Sequence, residues 1–305
     1  MNFSIKEYIS NTLTENDNLF KTVSIVFETY NIVPTKKHYG IYIDYEDIKE
    51  LRDDFLYELV DSIVDWVYGK KKYQELYNKE INNNRSSGNA SSKIIRKAKA
   101  KFRENKLSEK CDEVKGQFGE LLLFHFIERI FHAVPLLRKM CITTSPKLER
   151  NGADAIHYKW ENNKNILILG EAKTYTSSFN KAFSEAIKSI LKTYDDIRNE
   201  INLYVCEDFL EDEMNEIAYK YINNELKDIE VHLVALVIFE ESKELISLDR
   251  ESIKKEIEDI IKDRYDKFPN NKIDVKSNKI LTRITYIIFP VWKLNELLMA
   301  FKENN

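Results

Sequence analysis

The stretch Asn151 to Lys173, NGADAIHYKWENNKNILILGEAK, sets two acids and a lysine around one short apolar run. Ile166 to Leu169 is branched and apolar, the pattern of a strand buried on both faces, and it leads directly into Gly170-Glu171-Ala172-Lys173. Side chains alternate along a strand, so Glu171 and Lys173 share one face and Ala172 takes the other. Asp154 lies on a preceding extended segment, Ala153 to Tyr158, and the polar interval Lys159 to Asn165 (KWENNKN) predicts a hairpin turn between the two. The hairpin brings Asp154 beside Glu171.

Two carboxylates and a lysine at the ends of adjacent strands suit a hard divalent cation, since Mg²⁺ takes oxygen ligands and keeps several waters. There the metal polarises a phosphodiester while the ammonium steers or deprotonates an attacking water, as in the PD-(D/E)xK nucleases. The bland alternative is chance, because a chain that is 32% charged produces Glu-x-Lys often. The strand context argues the other way: acids at the end of a buried strand are seldom there for stability.

Upstream, Glu113 to Phe131 is apolar nearly all round from Leu121 onward, as a buried helix is. Glu120 shares a stripe with Phe124, Ile127 and Phe131 at steps of four, three and four. It is either a carboxylate favoured by the helix macrodipole or a third acid at the metal site, and we favour the latter. Gly116 and Gly119 would let this helix approach a neighbour closely, and His125 and His132 read as ordinary packed or surface histidines. Cys141 to Thr144 is a short candidate strand. Downstream, TYTSSF supplies hydroxyls that cap a helix or reach a phosphate (Ser177, Ser178, Ser184). Phe183, Ala186, Ile187, Ile190, Tyr194 and Ile197 give that helix one apolar stripe. Strands follow at Val231 to Phe239 and Leu281 to Phe289, separated by a charged helix near Ser252 to Tyr265 and closed by an amphipathic C-terminal helix. The order from Glu113 to Phe239 is helix, strand, strand, strand, helix, strand.

The first 92 residues predict a largely α-helical lobe. His38 begins a strand-like HYGIYIDY and reads as a local hydrogen-bonding residue; Asp44 marks a helix start. Ile48, Leu51, Phe55, Leu59, Ile63 and Val67 recur at helical spacing up to a capping Gly69. Ile81 to Ser92 (INNNRSSGNASS) reads as a flexible loop separating an N-terminal lobe, 1–92, from a core, 93–305. Between Lys70 and Lys110 stand 13 Lys or Arg against 4 Glu, which leaves −13 on the rest of a chain whose net charge is −4. Such a block is a solvated face, a footprint for nucleic acid, or a dock for an acidic partner. Its segment from Lys93 to Lys110 predicts a helix.

Cys111, Cys141 and Cys206 are odd in number and widely spaced, which excludes a disulfide framework and a C-x-x-C zinc site and fits core thiols in a reducing cytosol. The opening MNFSIKEYISNTLTEND lacks the basic and apolar regions of a signal peptide, and no apolar run approaches the roughly 18 residues of a membrane span. The expectation is a soluble, cytoplasmic protein with no membrane partner.

Gly116-Gln117-Phe118-Gly119-Glu120, Gly152-Ala153-Asp154-Ala155-Ile156-His157, Leu169-Gly170-Glu171-Ala172-Lys173 and Ala182-Phe183-Ser184-Glu185-Ala186 together resemble the nuclease subunit of the Hachiman anti-phage defence system. The resemblance implies an α/β fold with a PD-(D/E)xK restriction-endonuclease-like core, an αβββαβ mixed sheet. It also implies a metal-dependent DNA endonuclease effector held in check by a superfamily two helicase. Asp154 and Glu171 would bind Mg²⁺, or Mn²⁺, with Glu120 joining them and Lys173 completing the catalytic motif. This chain has Gly-Ala-Asp where the wider superfamily has Pro-Asp; the carboxylate is kept. The competing expectation is a non-catalytic subunit that binds nucleic acid or the helicase through its basic segment.

Overall fold

A computed structural model describes residues 2–13, 16–104, 111–137, 152–206 and 212–304 of the chain. In chain order it forms α1 (Asn2–Thr12), α2 (Asp17–Lys21), β1 (Val23–Thr29), β2 (Lys37–Ile43), β3 (Tyr45–Glu46), β4 (Lys49–Glu50), α3 (Arg52–Asp61), α4 (Ile63–Asn82) and α5 (Ser87–Glu104). Then come α6 (Cys111–Phe131), β5 (Val134–Pro135), β6 (Ala155–Glu161), β7 (Lys164–Tyr175), α7 (Phe179–Cys206), α8 (Asp212–Ile222), β8 (Ile229–Glu240), α9 (Arg250–Lys267), β9 (Ile284–Val291) and α10 (Leu294–Asn304).

Seven strands form one mixed sheet in the order β1-β2-β9-β8-β7-β6-β5. β2, β9, β8 and β7 run parallel, and antiparallel strands finish both edges. Parallel neighbours need crossovers, which helices supply: α7 and α8 link β7 to β8, and α9 links β8 to β9. Those helices cover the sheet, so its central strands are apolar on both faces. On one face α3 to α6 and α10 pack over Ile166, Ile168, Val234 and Ile287; on the other, α7, α8 and α9 pack over Leu167, Leu169, Leu233 and Ile288. The α/β class expected from the sequence is therefore what the chain forms.

The hairpin, β7 and β8, and the helices at Glu113, Phe183, Ser252 and Leu294 lie where their patterns predict. α6 is buried without interruption from Leu121 to Glu128. Its two glycines differ. A Cβ on Gly119 would stand 2.9 Å from Thr174 Oγ1 and 3.2 Å from Ala172 Cβ, whereas one on Gly116 would meet nothing within 4 Å. Of these two, Gly119 is the one at the close approach of α6 to β7.

The N-terminal third departs most from expectation. β1 and β2 belong to the main sheet, β2 pairing with β9, so the sheet extends well before residue 92. Asp44 starts no helix. It accepts from Tyr45 N (2.7 Å) and Ser24 Oγ (2.9 Å) and pairs with Arg250 and Lys254 of α9, while the chain turns through β3 and β4 and the helix begins at Arg52. Ile48, counted in the helical stripe, is 59% exposed in that turn. Gly69 does not end a helix before a loop: at φ 65° and ψ 170° it kinks one that resumes and runs to Asn82. The interval 81–92 is mostly helical as well, its middle closing the turn between α4 and α5. Glu80 fastens that turn through Arg85 (2.7 Å) and Lys93 (2.7 Å). α5 is helical as predicted, with Ala90, Ile94 and Ala98 buried and Arg96 and Lys97 exposed. Its basic continuation from Asn105 to Lys110 and the Cys141 to Thr144 segment lie outside the described residues. His38 is the local bonding residue expected. Its Nδ1 accepts from Tyr286 N (3.1 Å) and its Nε2 donates to Pro34 O (3.0 Å), fixing the neutral tautomer.

Candidate functional site

The hairpin ladder runs from Glu161 opposite Lys164 to Ala155 opposite Gly170. One step further, Asp154 faces Glu171. β6 stops there while β7 continues along β8 as far as Tyr175 opposite Phe239. The last residues of β7 therefore have a strand on one side only, and the Asp154 side chain occupies the other. Ala172 N donates to Asp154 Oδ2 at 2.8 Å, so the carboxylate stands where a strand carbonyl would have been.

Glu171 points towards α7 and is 3% exposed. Its Oε1 accepts from Lys173 Nζ (2.7 Å) and Ser189 Oγ (2.5 Å), and its Oε2 from Thr193 Oγ1 (3.4 Å). A carboxylate that deep in the protein needs such partners. Lys173 shares its face, as alternation predicts. Burial alone would lower the pKa of its ammonium, but Glu171, Asp154 and Glu185 outweigh that and hold it above the usual lysine value. In this geometry Lys173 carries its proton.

Two cavities meet at this point. One, of about 560 Å³, is lined by Asp154, Glu171 and Lys173 from the strands and by Ser189, Lys192, Thr193, Asp196 and Glu200 from α7. The other, of about 580 Å³, is lined by Lys115, Gly116 and Glu120 from α6 and by Asp154, Lys173 and the segment Thr174 to Ser177. Asp154 and Lys173 form the wall between them. The hairpin thus brings Asp154, Glu171 and Lys173 together around the first cavity, and Glu120 of α6 lines the second with Asp154 and Lys173. By alternation Ala172 packs with the α6 core while Glu171 faces α7.

Carboxylate oxygens that line one cavity, with room beside them for water, suit Mg²⁺. Asp154 and Glu171 supply two such donors. Among the described residues, no three His, Cys, Asp or Glu side chains are arranged to hold a metal ion.

Sequence reasoning missed the contribution of α7. Glu185, Ser189, Thr193, Asp196 and Glu200 recur at steps of four, four, three and four beside the apolar stripe, a second helical face legible in the sequence. That face meets the strands: Tyr175 OH donates to Glu185, Ser189 and Thr193 to Glu171, and Ala153 N donates to Glu200 at 2.9 Å. The serines singled out earlier do less. Ser178 Oγ accepts from Lys181 N and Ser184 Oγ donates to Asn180 O, both bonds local to the helix, and Ser177 lines the second cavity. His125 is packed at 1% exposure against Phe124, and His132 is exposed at the end of α6, as expected of both.

No helix among the described residues is long and apolar enough to cross a membrane. No curated protein matches the chain. A protein-family model described as HamA matches residues 17–304, from α2 to the end of α10 and so across the whole sheet and the hairpin that carries Asp154 and Glu171. The chain belongs to the HamA family, a component of the multi-component Hachiman anti-phage defence system.

Proposed function

We propose that Asp154, Glu171 and Lys173 form the catalytic centre of a metal-dependent deoxyribonuclease, the effector of its Hachiman system. The observation that carries this reading is the position of Asp154, opposite Glu171 where β6 ends and β7 continues, on the wall between two cavities. In this reading α6, β5 to β7, α7 and β8 are the PD-(D/E)xK-like core. Asp154 and Glu171 would hold Mg²⁺, or Mn²⁺ in its place. A metal held there would supply polarisation of the phosphodiester and stabilisation of the charge developing on its oxygens. Lys173, with its proton held by the surrounding carboxylates, orients the attacking water and counters phosphate charge. Ser189 and Thr193 fix the Glu171 carboxylate from behind. The second cavity admits the substrate strand past Lys115 and the hydroxyls of Thr174 to Ser177, and Glu120 reaches the centre through it from the α6 side. Restraint by a superfamily two helicase of the same system rests on family membership alone.

A second reading has an observation of its own. Glu171 is nearly inaccessible and bonded to Lys173, Ser189 and Thr193, which also describes a structural ion pair in a non-catalytic subunit that binds DNA or the helicase. Incubating the protein with supercoiled plasmid and Mg²⁺, with and without the helicase, separates the two. Nicking that is lost with EDTA and in Asp154→Ala and Glu171→Ala supports the nuclease, and suppression by the helicase supports the restraint. Full activity in both variants would refute the site. An intact plasmid under every condition, a broken-ended DNA activator included, favours the binding subunit.

A further inference from the structure

We propose that Glu200 of α7 is a positioning residue that fixes Asp154 for cation binding, an inference that rests on the nuclease reading. Glu200 lies three helical turns beyond Ser189 and is 6% exposed. Its Oε2 accepts from Ala153 N at 2.9 Å, in a buried bond that links α7 to the residue preceding Asp154. Gly152 is packed onto the same group. A Cβ there would stand 2.4, 2.5 and 2.6 Å from the three atoms of the Glu200 carboxyl group, and its φ of +140° belongs to the region that favours glycine. The carboxylate thus takes the space of the missing side chain, and the chain is wrapped on it two residues before Asp154. From the other side, Ala172 N holds the Asp154 carboxylate. The two bonds clamp Asp154 from backbone and side chain.

The choice of a carboxylate has a second consequence. Asp154, Glu171, Asp196 and Glu200 all line the first cavity, against Lys173 and Lys192. That balance favours a cation over an anion there. A tether that served the fold alone would leave cation affinity untouched once the protein is folded; a positioning residue sets it.

The test compares Glu200→Ala, Glu200→Asp and Glu200→Gln with the parent protein and Asp154→Ala. Calorimetric titration with Mn²⁺ reads affinity in the folded state, amide hydrogen exchange reads Ala153 and Ala172 without metal, and plasmid cleavage reads the Mn²⁺ concentration for half-maximal rate. Glu200→Ala removes the acceptor, and Glu200→Asp keeps the charge but withdraws it by one methylene. Each should weaken Mn²⁺ binding by about 10- to 100-fold and raise the half-maximal Mn²⁺ concentration in parallel. Both should also speed exchange at Ala153 and Ala172. Glu200→Gln keeps an oxygen for Ala153 N and should bind Mn²⁺ more tightly than Glu200→Ala and Glu200→Asp, short of the parent only by what the lost charge contributed. If Asp154→Ala loses Mn²⁺ while Glu200→Asp and Glu200→Ala bind it as the parent does, the positioning role is overturned and the nuclease site stands. If Asp154→Ala binds Mn²⁺ like the parent, or the parent binds none, the nuclease reading fails and this inference fails with it. Glu200→Asp keeps the test decisive should Glu200→Ala not fold.

Discussion

Replacing Gly116 and Gly119 separately by alanine isolates the contact that sets α6 against β7. Both lie on one helix, three residues apart, so each substitution gains about the same 0.5–1 kcal/mol of helix propensity. They differ only in what the new methyl meets. At Gly116 it meets nothing within 4 Å, so Gly116→Ala should stabilise the protein by about 0.5–1 kcal/mol. At Gly119 it stands 2.9 Å from Thr174 Oγ1 and 3.2 Å from Ala172 Cβ. The second of these is fixed to the β7 backbone and cannot rotate away. Overpacking of this kind costs about 1–3 kcal/mol. Net of the propensity gain, Gly119→Ala should lie between neutral and about 2.5 kcal/mol less stable than the parent. The difference between the two variants is then about 1–3 kcal/mol, free of the propensity term. Urea unfolding followed by circular dichroism measures it, with m-values checked for a common unfolded state. Equal shifts of the same sign in the two variants would refute the close approach of α6 to β7.

Two further outcomes follow from buried polar groups. Glu241 is fully enclosed at its side chain, with Oε1 accepting from Ser242 N and Lys243 N (both 2.9 Å) and both oxygens facing Arg264, whose Nε lies 2.9 Å from Oε2. Arg264→Ala strands that carboxylate and should cost about 3 kcal/mol, the low end for a broken buried pair because Arg264 is 30% exposed; an unchanged melting temperature would contradict it. His38 is buried, and burial, only partly opposed by the Pro34 carbonyl, pushes its pKa down from 6.5 to about 4. The unfolded chain therefore binds the extra proton between pH 6.5 and pH 4, so the contribution of neutral His38 is complete above pH 6.5 and is lost as pH falls through that window, by up to about 3 kcal/mol in all. His38→Gln should flatten the stability profile there; an unaltered slope between pH 4 and 6.5 would contradict the assignment.

Much of the candidate site was legible because it is local. Turn chemistry between two runs sets a hairpin, and period-two alternation then decides which residues share a face, so the pairing of Asp154 with Glu171 and the company of Lys173 need no long-range information. The amphipathic face of α7 was legible too, but only for its apolar half. Ser189, Thr193 and Glu200 stood in the sequence at helical spacing; that they meet Glu171 and Ala153, rather than water, depends on how α7 lies across the sheet.

By itself, the sequence determined an α/β chain with buried central strands, the hairpin that brings an acid beside Glu171, and a buried α6, all set by patterns a few residues long. Tertiary structure decided the rest. It joined β2 to β9 across most of the chain, turned Asp44 from a helix start into the partner of Arg250, and set Glu120 in a cavity with Asp154 and Lys173. These outcomes depend on which faces of distant elements pack together, and that is fixed by burying apolar surface over the whole domain rather than by any single segment.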